Sequence, residues 1–77
     1  MTRLPIVSAK TMETFLRKLG FQAVRQKGSH VFYRHKDGRT TTVPHHPGRD
    51  LSRPLVAEIL REIKLSPDEF CLLLQKL

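Results

Sequence analysis

The pair Asp37-Gly38, standing between two runs of β-branched and aromatic residues, is the feature that most constrains this chain, because it is the strongest short-range signal for a β-hairpin. Before it, Ser29 to Lys36 is rich in Val, Phe and Tyr. After it, Arg39 to Val43 holds three consecutive threonines. Gly28 separates the first of these runs from an earlier short one, Phe21 to Lys27. The expected product is an antiparallel meander of three strands. Its faces are assigned by alternation: Val24, Phe32 and Val43 form one bulky apolar set, expected to lie under the helices, with Arg25, Tyr33 and the threonines mostly opposite. On that assignment His30 shares a face with Phe32 and is partly covered.

The flanks read as helices. Ser8 is placed to cap a helix that Gly20 stops, and Met12, Phe15, Leu16 and Leu19 recur at i, i+3, i+4 and i+7 as one apolar stripe. Pro44-His45-His46-Pro47-Gly48-Arg49-Asp50 is a loop by its two prolines, its glycine and its lack of apolar residues. Ser52 then caps a second helix with Pro54 in its first turn and Leu55, Val56, Ile59, Leu60 and Ile63 on its buried side. Ser66-Pro67-Asp68-Glu69 has the form of a capping box and opens a short third helix through Phe70 and Leu74. The order α-β-β-β-α-α makes an α+β fold over residues 1–77, a single domain whose three-stranded sheet is covered on one face by helices.

Seventy-seven residues leave little room for a large substrate cavity, since a chain of this size buries only about 60–65% of its unfolded surface. The longest apolar stretch, Phe70-Cys71-Leu72-Leu73-Leu74, falls far short of the ~20 residues of a membrane span, and residues 1–7 lack the apolar run of a signal peptide. One cysteine, Cys71, forms no internal disulfide and fits a reducing cytoplasm. Charge is more informative. Of the formal +7, all lies between Arg17 and Arg53, where nine basic residues face two acids, while the flanks hold five of each. A solvated surface accounts for net charge alone, but its segregation, together with all four histidines, points to a phosphate-backbone contact surface.

Lys27-Gly28-Ser29-His30 brings a cation, a flexible turn, a hydroxyl and an imidazole within four positions. These are the groups that metal-independent RNA cleavage uses: the ribose 2′-OH loses a proton, the 5′-oxygen gains one, and charge develops on the phosphoryl oxygens. The competing reading of His30 is a hydrogen-bonded structural or surface residue. His45 and His46 offer a second proton donor or acceptor, against the simpler reading of a solvated loop. Their spacing with His35 and Cys71 does not suit structural zinc, and no metal or other cofactor is expected. Cys71 lies in an apolar run and reads as a buried thiol, and Ser29 lacks a nucleophile elbow. Phe32 and Tyr33 are able to stack on unpaired bases, although Phe32 reads first as core. The leucine-rich last helix either completes the core or docks a protein partner.

Taken together, Gly20-Phe21 after the first helix, Lys27-Gly28-Ser29-His30 opening the second strand, Asp37-Gly38 at the hairpin and Val43-Pro44-x-His46 after the third resemble the HicA (YcfA-like) mRNA interferase toxins. The resemblance runs from about Ser8 to Phe70. It implies a fold like that of double-stranded-RNA-binding domains, cleavage of mRNA, and neutralisation by a HicB antitoxin. The family's catalytic histidine falls on His30, its associated glycine on Gly28, and its post-strand histidine on His46, with His45 the alternative. Where many members have Gly-Thr-Leu, this chain has Arg53-Pro54-Leu55, and Pro54 has no N–H to offer a phosphate.

The expectation is a cytoplasmic endoribonuclease toxin in which Arg25, Lys27, Arg34 and Arg39 hold RNA phosphates, Gly28 and Ser29 let the backbone come close, and His30 is general acid or base. A non-catalytic RNA-binding module is the alternative, and an adaptor docking on an acidic protein a third.

Overall fold

A computed structural model describes residues 3–77, so the first two positions of the expected domain lie outside the described residues. Helix α1, Ala9–Leu19, begins where the Ser8 hydroxyl accepts the Thr11 backbone N–H at 3.1 Å. It ends as the glycine stop predicts. Gly20 has φ 103°, its N–H donates to Arg17 O, and the Phe21 N–H reaches back to Leu16 O at 2.9 Å, the paired bonds of a Schellman motif. A side chain at Gly20 would also collide with His35, because its Cβ would lie 2.9 Å from the imidazole Nε2.

The sheet follows as β1, Gln22–Lys27, β2, His30–Arg34, and β3, Thr40–Pro44, antiparallel and in that spatial order. Gly28 and Ser29 join β1 to β2. Gly28 has φ 59° and Ser29 a negative φ, the combination found when glycine takes the first central position of a type II′ hairpin. The Asp37-Gly38 hairpin is longer than a two-residue loop. Gly38 donates to His35 O and His35 N–H to Arg39 O, each at 2.9 Å, which leaves three residues in the turn. The second strand therefore stops at Arg34, two residues before the expected limit.

Helix α2, Arg53–Glu62, starts from Ser52, whose hydroxyl accepts the Leu55 N–H at 3.3 Å. Helix α3, Pro67–Leu74, opens with both halves of the capping box: Glu69 N–H to Ser66 Oγ at 3.1 Å and Ser66 N–H to Glu69 Oε1 at 3.0 Å. The latter bond holds the Glu69 carboxyl below its ordinary range. Phe15 of α1 meets Phe70 of α3 edge to face, centroids 4.8 Å apart. Among the described residues no helix is long and apolar enough to cross a membrane.

One expectation is reversed. The helices cover Val31, Tyr33, Thr41 and Val43, all buried, whereas Phe32 shares the uncovered side with His30, and Val24 is 59% exposed. Two physical causes combine. His30 and Arg34 alternate with Val31 and Tyr33, so burying Phe32 would also have buried an imidazole and a guanidinium, while no acidic residue occurs in any strand to compensate. In addition, the pairing of β1 slips between Ala23 and Arg25, and this bulge takes Val24 out of the alternation. The buried hydroxyl of Thr41 is satisfied by donating to Glu62 Oε1 at 2.8 Å.

Ahead of α1, an extended segment is fastened to the loop before α2. Leu51 N–H donates to Val7 O at 2.8 Å, and Arg53 Nε donates to Leu4 O at the same distance. Cys71 is only half-buried, beside Pro5 and Leu74, in place of the sealed position expected for it.

Candidate functional site

Residues opposite one another in an antiparallel sheet share a face, so the register reads off the uncovered surface in three rows. Lys27, His30 and Pro44 form the first, next to the Gly28-Ser29 turn. Arg25, Phe32 and Thr42 form the second. Gln22, Arg34 and Thr40 form the third. His30 sits on the middle strand and is exposed, directly opposite Lys27. Successive rows stand about 6.6 Å apart along the strand. Arg25 lays its guanidinium over the Phe32 ring at 4.7 Å from the centroid.

The electrostatics of this surface follow from composition. Arg25, Lys27 and Arg34 are its cations, the strands contain no acid, and none of the three forms an ion pair among the described residues. Their charge is therefore not offset by an ion pair within the fold. Nothing crowds the turn at Gly28, where a Cβ would meet no atom within 4 Å, and Gln26 Nε2 donates to the Gly28 carbonyl at 3.0 Å. An extended anion can lie along the rows with its backbone close to the turn.

Two residues expected to join this set lie elsewhere. Arg39 packs on the helix side at the far end of the sheet. Its guanidinium donates to Asp37 Oδ2 at 2.8 Å and to the Ile63 carbonyl, and it lies over the Phe21 ring at 5.2 Å. It staples the second hairpin to α2, while the Asp37 carboxyl is held below its ordinary range first by the Arg39 backbone N–H, which donates to Oδ1 at 3.0 Å, and then by the guanidinium. His46 stands beyond β3, exposed in a turn in which Arg49 N–H donates to its carbonyl at 3.1 Å. A groove of about 430 Å³ runs between that turn and the start of α1, lined by Lys10, His46 and Arg49 among others.

The structure separates the two adjacent histidines. His45 is half-buried, with Nε2 3.0 Å from the Tyr33 hydroxyl, and its backbone N–H donates to Ser29 O at 2.7 Å. It thus ties the loop after β3 to the residue preceding His30. Tyr33 is 1% exposed, and burial pushes its hydroxyl up to about 12, so it stays protonated at neutral pH. His35 is likewise committed. Its Nε2 lies 3.0 Å from Leu19 O and its Nδ1 accepts the Asp37 N–H at 3.1 Å, an assignment that leaves Nε2–H as the donor. Among the described residues, no three His, Cys, Asp or Glu side chains converge where an ion would sit.

Sequence reasoning offered Phe32 and Tyr33 as base-stacking aromatics but put Phe32 first in the core; the structure seals Tyr33 and leaves Phe32 half-buried on the uncovered side. The signal was its parity with Arg34 and His30, outvoted by the bulk of Val24 and Val43. A family model described as HicA toxin of bacterial toxin-antitoxin matches residues 9–65, from α1 through the turn after α2. No curated protein matches the chain.

Proposed function

Because the chain belongs to the HicA toxin family of bacterial toxin-antitoxin systems, we propose that it is an endoribonuclease that cleaves mRNA in the cytoplasm and so arrests translation and growth. The observation that carries this reading is an exposed His30 on a sheet surface whose charged neighbours are all cations. Lys27, Arg25 and Arg34 hold the phosphates of the strand. His30 exchanges a proton with the reacting ribose-phosphate: as base it takes the 2′-OH proton while the 2′-oxygen bonds to phosphorus, or as acid it protonates the 5′-oxygen as the P–O5′ bond breaks. Lys27, one strand away, offsets charge growing on the phosphoryl oxygens. None of these steps requires a metal ion.

Membership of the family implies an antitoxin partner. We propose that it is of the HicB type and covers His30 with its basic surroundings, so that inhibition and substrate binding compete for one surface. Ion pairs would steer that association, with apolar contacts supplying most of the affinity.

Incubating the purified protein with mRNA in EDTA tests the activity. Cleavage is expected, and His30→Ala should slow it by about 10²–10⁴-fold while changing the unfolding free energy by no more than about 0.5 kcal/mol. RNA that is retarded in a gel but remains intact with the unsubstituted protein would replace the enzyme by a binding module. Full activity in His30→Ala would remove that residue from the chemistry.

A further inference from the structure

The chain has five aromatic residues, and the fold treats one of them differently. Phe15, Phe21, Tyr33 and Phe70 are sealed at 0–1% exposure, whereas Phe32 stands on the uncovered side of the sheet, one row from His30. Its ring is flanked unequally. The Arg25 guanidinium occupies one side at 4.7 Å, while the cross-strand neighbour on the other side is the short Thr42. A large apolar ring left half-buried on the side of the sheet that no helix covers, in a field of cations, is a poor way to stabilise a sheet and a good way to hold a flat, electron-rich partner.

We propose that Phe32, braced by Arg25, is a nucleobase-stacking subsite that restricts this surface to unpaired RNA. This rests on the RNA-cleaving reading above for its ligand class and deepens it by naming the form of the substrate. A base entering over Thr42 stacks on the free side of the ring, with the guanidinium closing the other side. The row spacing of about 6.6 Å then sets the phosphate next to that base beside Lys27 and His30. In a duplex the bases are already stacked on one another and present no free face to a side chain, so a helical region of the same RNA cannot use the subsite. Stacking accepts any base, which leaves the subsite selective for strandedness and tolerant of sequence.

Binding by the His30→Ala protein, which keeps the RNA intact, provides the test. The probes are a short mixed-sequence single-stranded RNA and a hairpin duplex of the same composition, compared by fluorescence anisotropy at one fixed salt concentration. Adding Phe32→Leu keeps the apolar bulk and removes the π face, and should weaken single-strand binding about tenfold with duplex binding unchanged; Phe32→Tyr should stay within about twofold. Equal single-strand affinity in Phe32→Leu, or an equal loss for both probes, overturns the subsite. If Phe32→Leu fails to fold, a single strand with abasic positions is offered to the His30→Ala protein: weaker binding supports the subsite and unchanged binding removes it. Failure of the unsubstituted protein to cleave RNA would sink the nuclease reading without touching this result. Cleavage by a protein in which Phe32→Leu costs no affinity would sink the subsite alone.

Discussion

The two sides of the sheet are built from alternating residues of the same strands, yet they obey different physics. On the covered side Val31, Tyr33, Thr41 and Val43 lie against the helices, and the one polar hydroxyl that is not tyrosine's has a carboxylate to bond. On the uncovered side Lys27, His30, Arg25, Phe32 and Arg34 meet solvent with no carboxylate among them. Stability is concentrated on the first, and unspent charge on the second. A neighbouring pair such as Tyr33 and Arg34 therefore differs more in role than residues far apart on one side.

The sharpest way to break the contrast is on the covered side. Phe70→Ala removes a fully buried ring and its contact with Phe15, and should cost about 3–5 kcal/mol in urea unfolding. That is close to the whole stability of a domain this small. A cost below about 1 kcal/mol would show that the helix layer is not where stability resides. Gly20→Ala comes next, because it forces a left-handed φ on a residue with a Cβ and drives that Cβ onto His35. It should cost about 1–3 kcal/mol, read as a fall in Tm.

Tyr33→Phe sharpens the comparison through pH. It removes the bond to His45, and should cost about 1 kcal/mol at neutral pH. Burial raises the folded Tyr33 hydroxyl to about 12, above its unfolded value near 10. The contribution of the neutral hydroxyl is therefore complete below the unfolded value and is lost as pH rises from there through the folded one. Urea unfolding at about pH 7 and about pH 11 should show the gap between the parent and Tyr33→Phe narrowing at the higher pH; a constant gap would mean that the hydroxyl is not protected by the fold. The smallest stability effect belongs to the uncovered side, where His30→Ala is expected to alter cleavage and barely alter Tm. A large loss of stability in that variant would erase the distinction between the two sides.

Much of the architecture was legible because it is written in local chemistry. Ser8, Gly20, Ser52 and the Ser66-Glu69 box each act within one helical turn, and the glycines at 28 and 38 act within one hairpin. The expected and observed elements therefore agree to within a residue or two. The face of the sheet was not legible in this way. Its two alternating sets carry similar apolar weight, and the choice between them depends on a bulge in β1 and on where two distant helices settle. Arg39 shows the same limit. In sequence it is one more cation of a basic segment, but it ends beside Phe21 and the Ile63 carbonyl, partners eighteen and twenty-four positions away.

The candidate site divides along that line. His30 follows a tight turn and faces Lys27 across it, a relation between near neighbours that the sequence alone determines. His45 and His46 are indistinguishable by composition; only the folded chain, by bringing the Tyr33 hydroxyl and the Ser29 carbonyl to the first of them, makes one a brace and leaves the other in solvent. Caps and turns are decided by groups a few bonds apart, whatever the rest of the chain does. Burial, and with it which ring or cation is left to meet a ligand, is decided by surfaces that come together from the whole length of the chain.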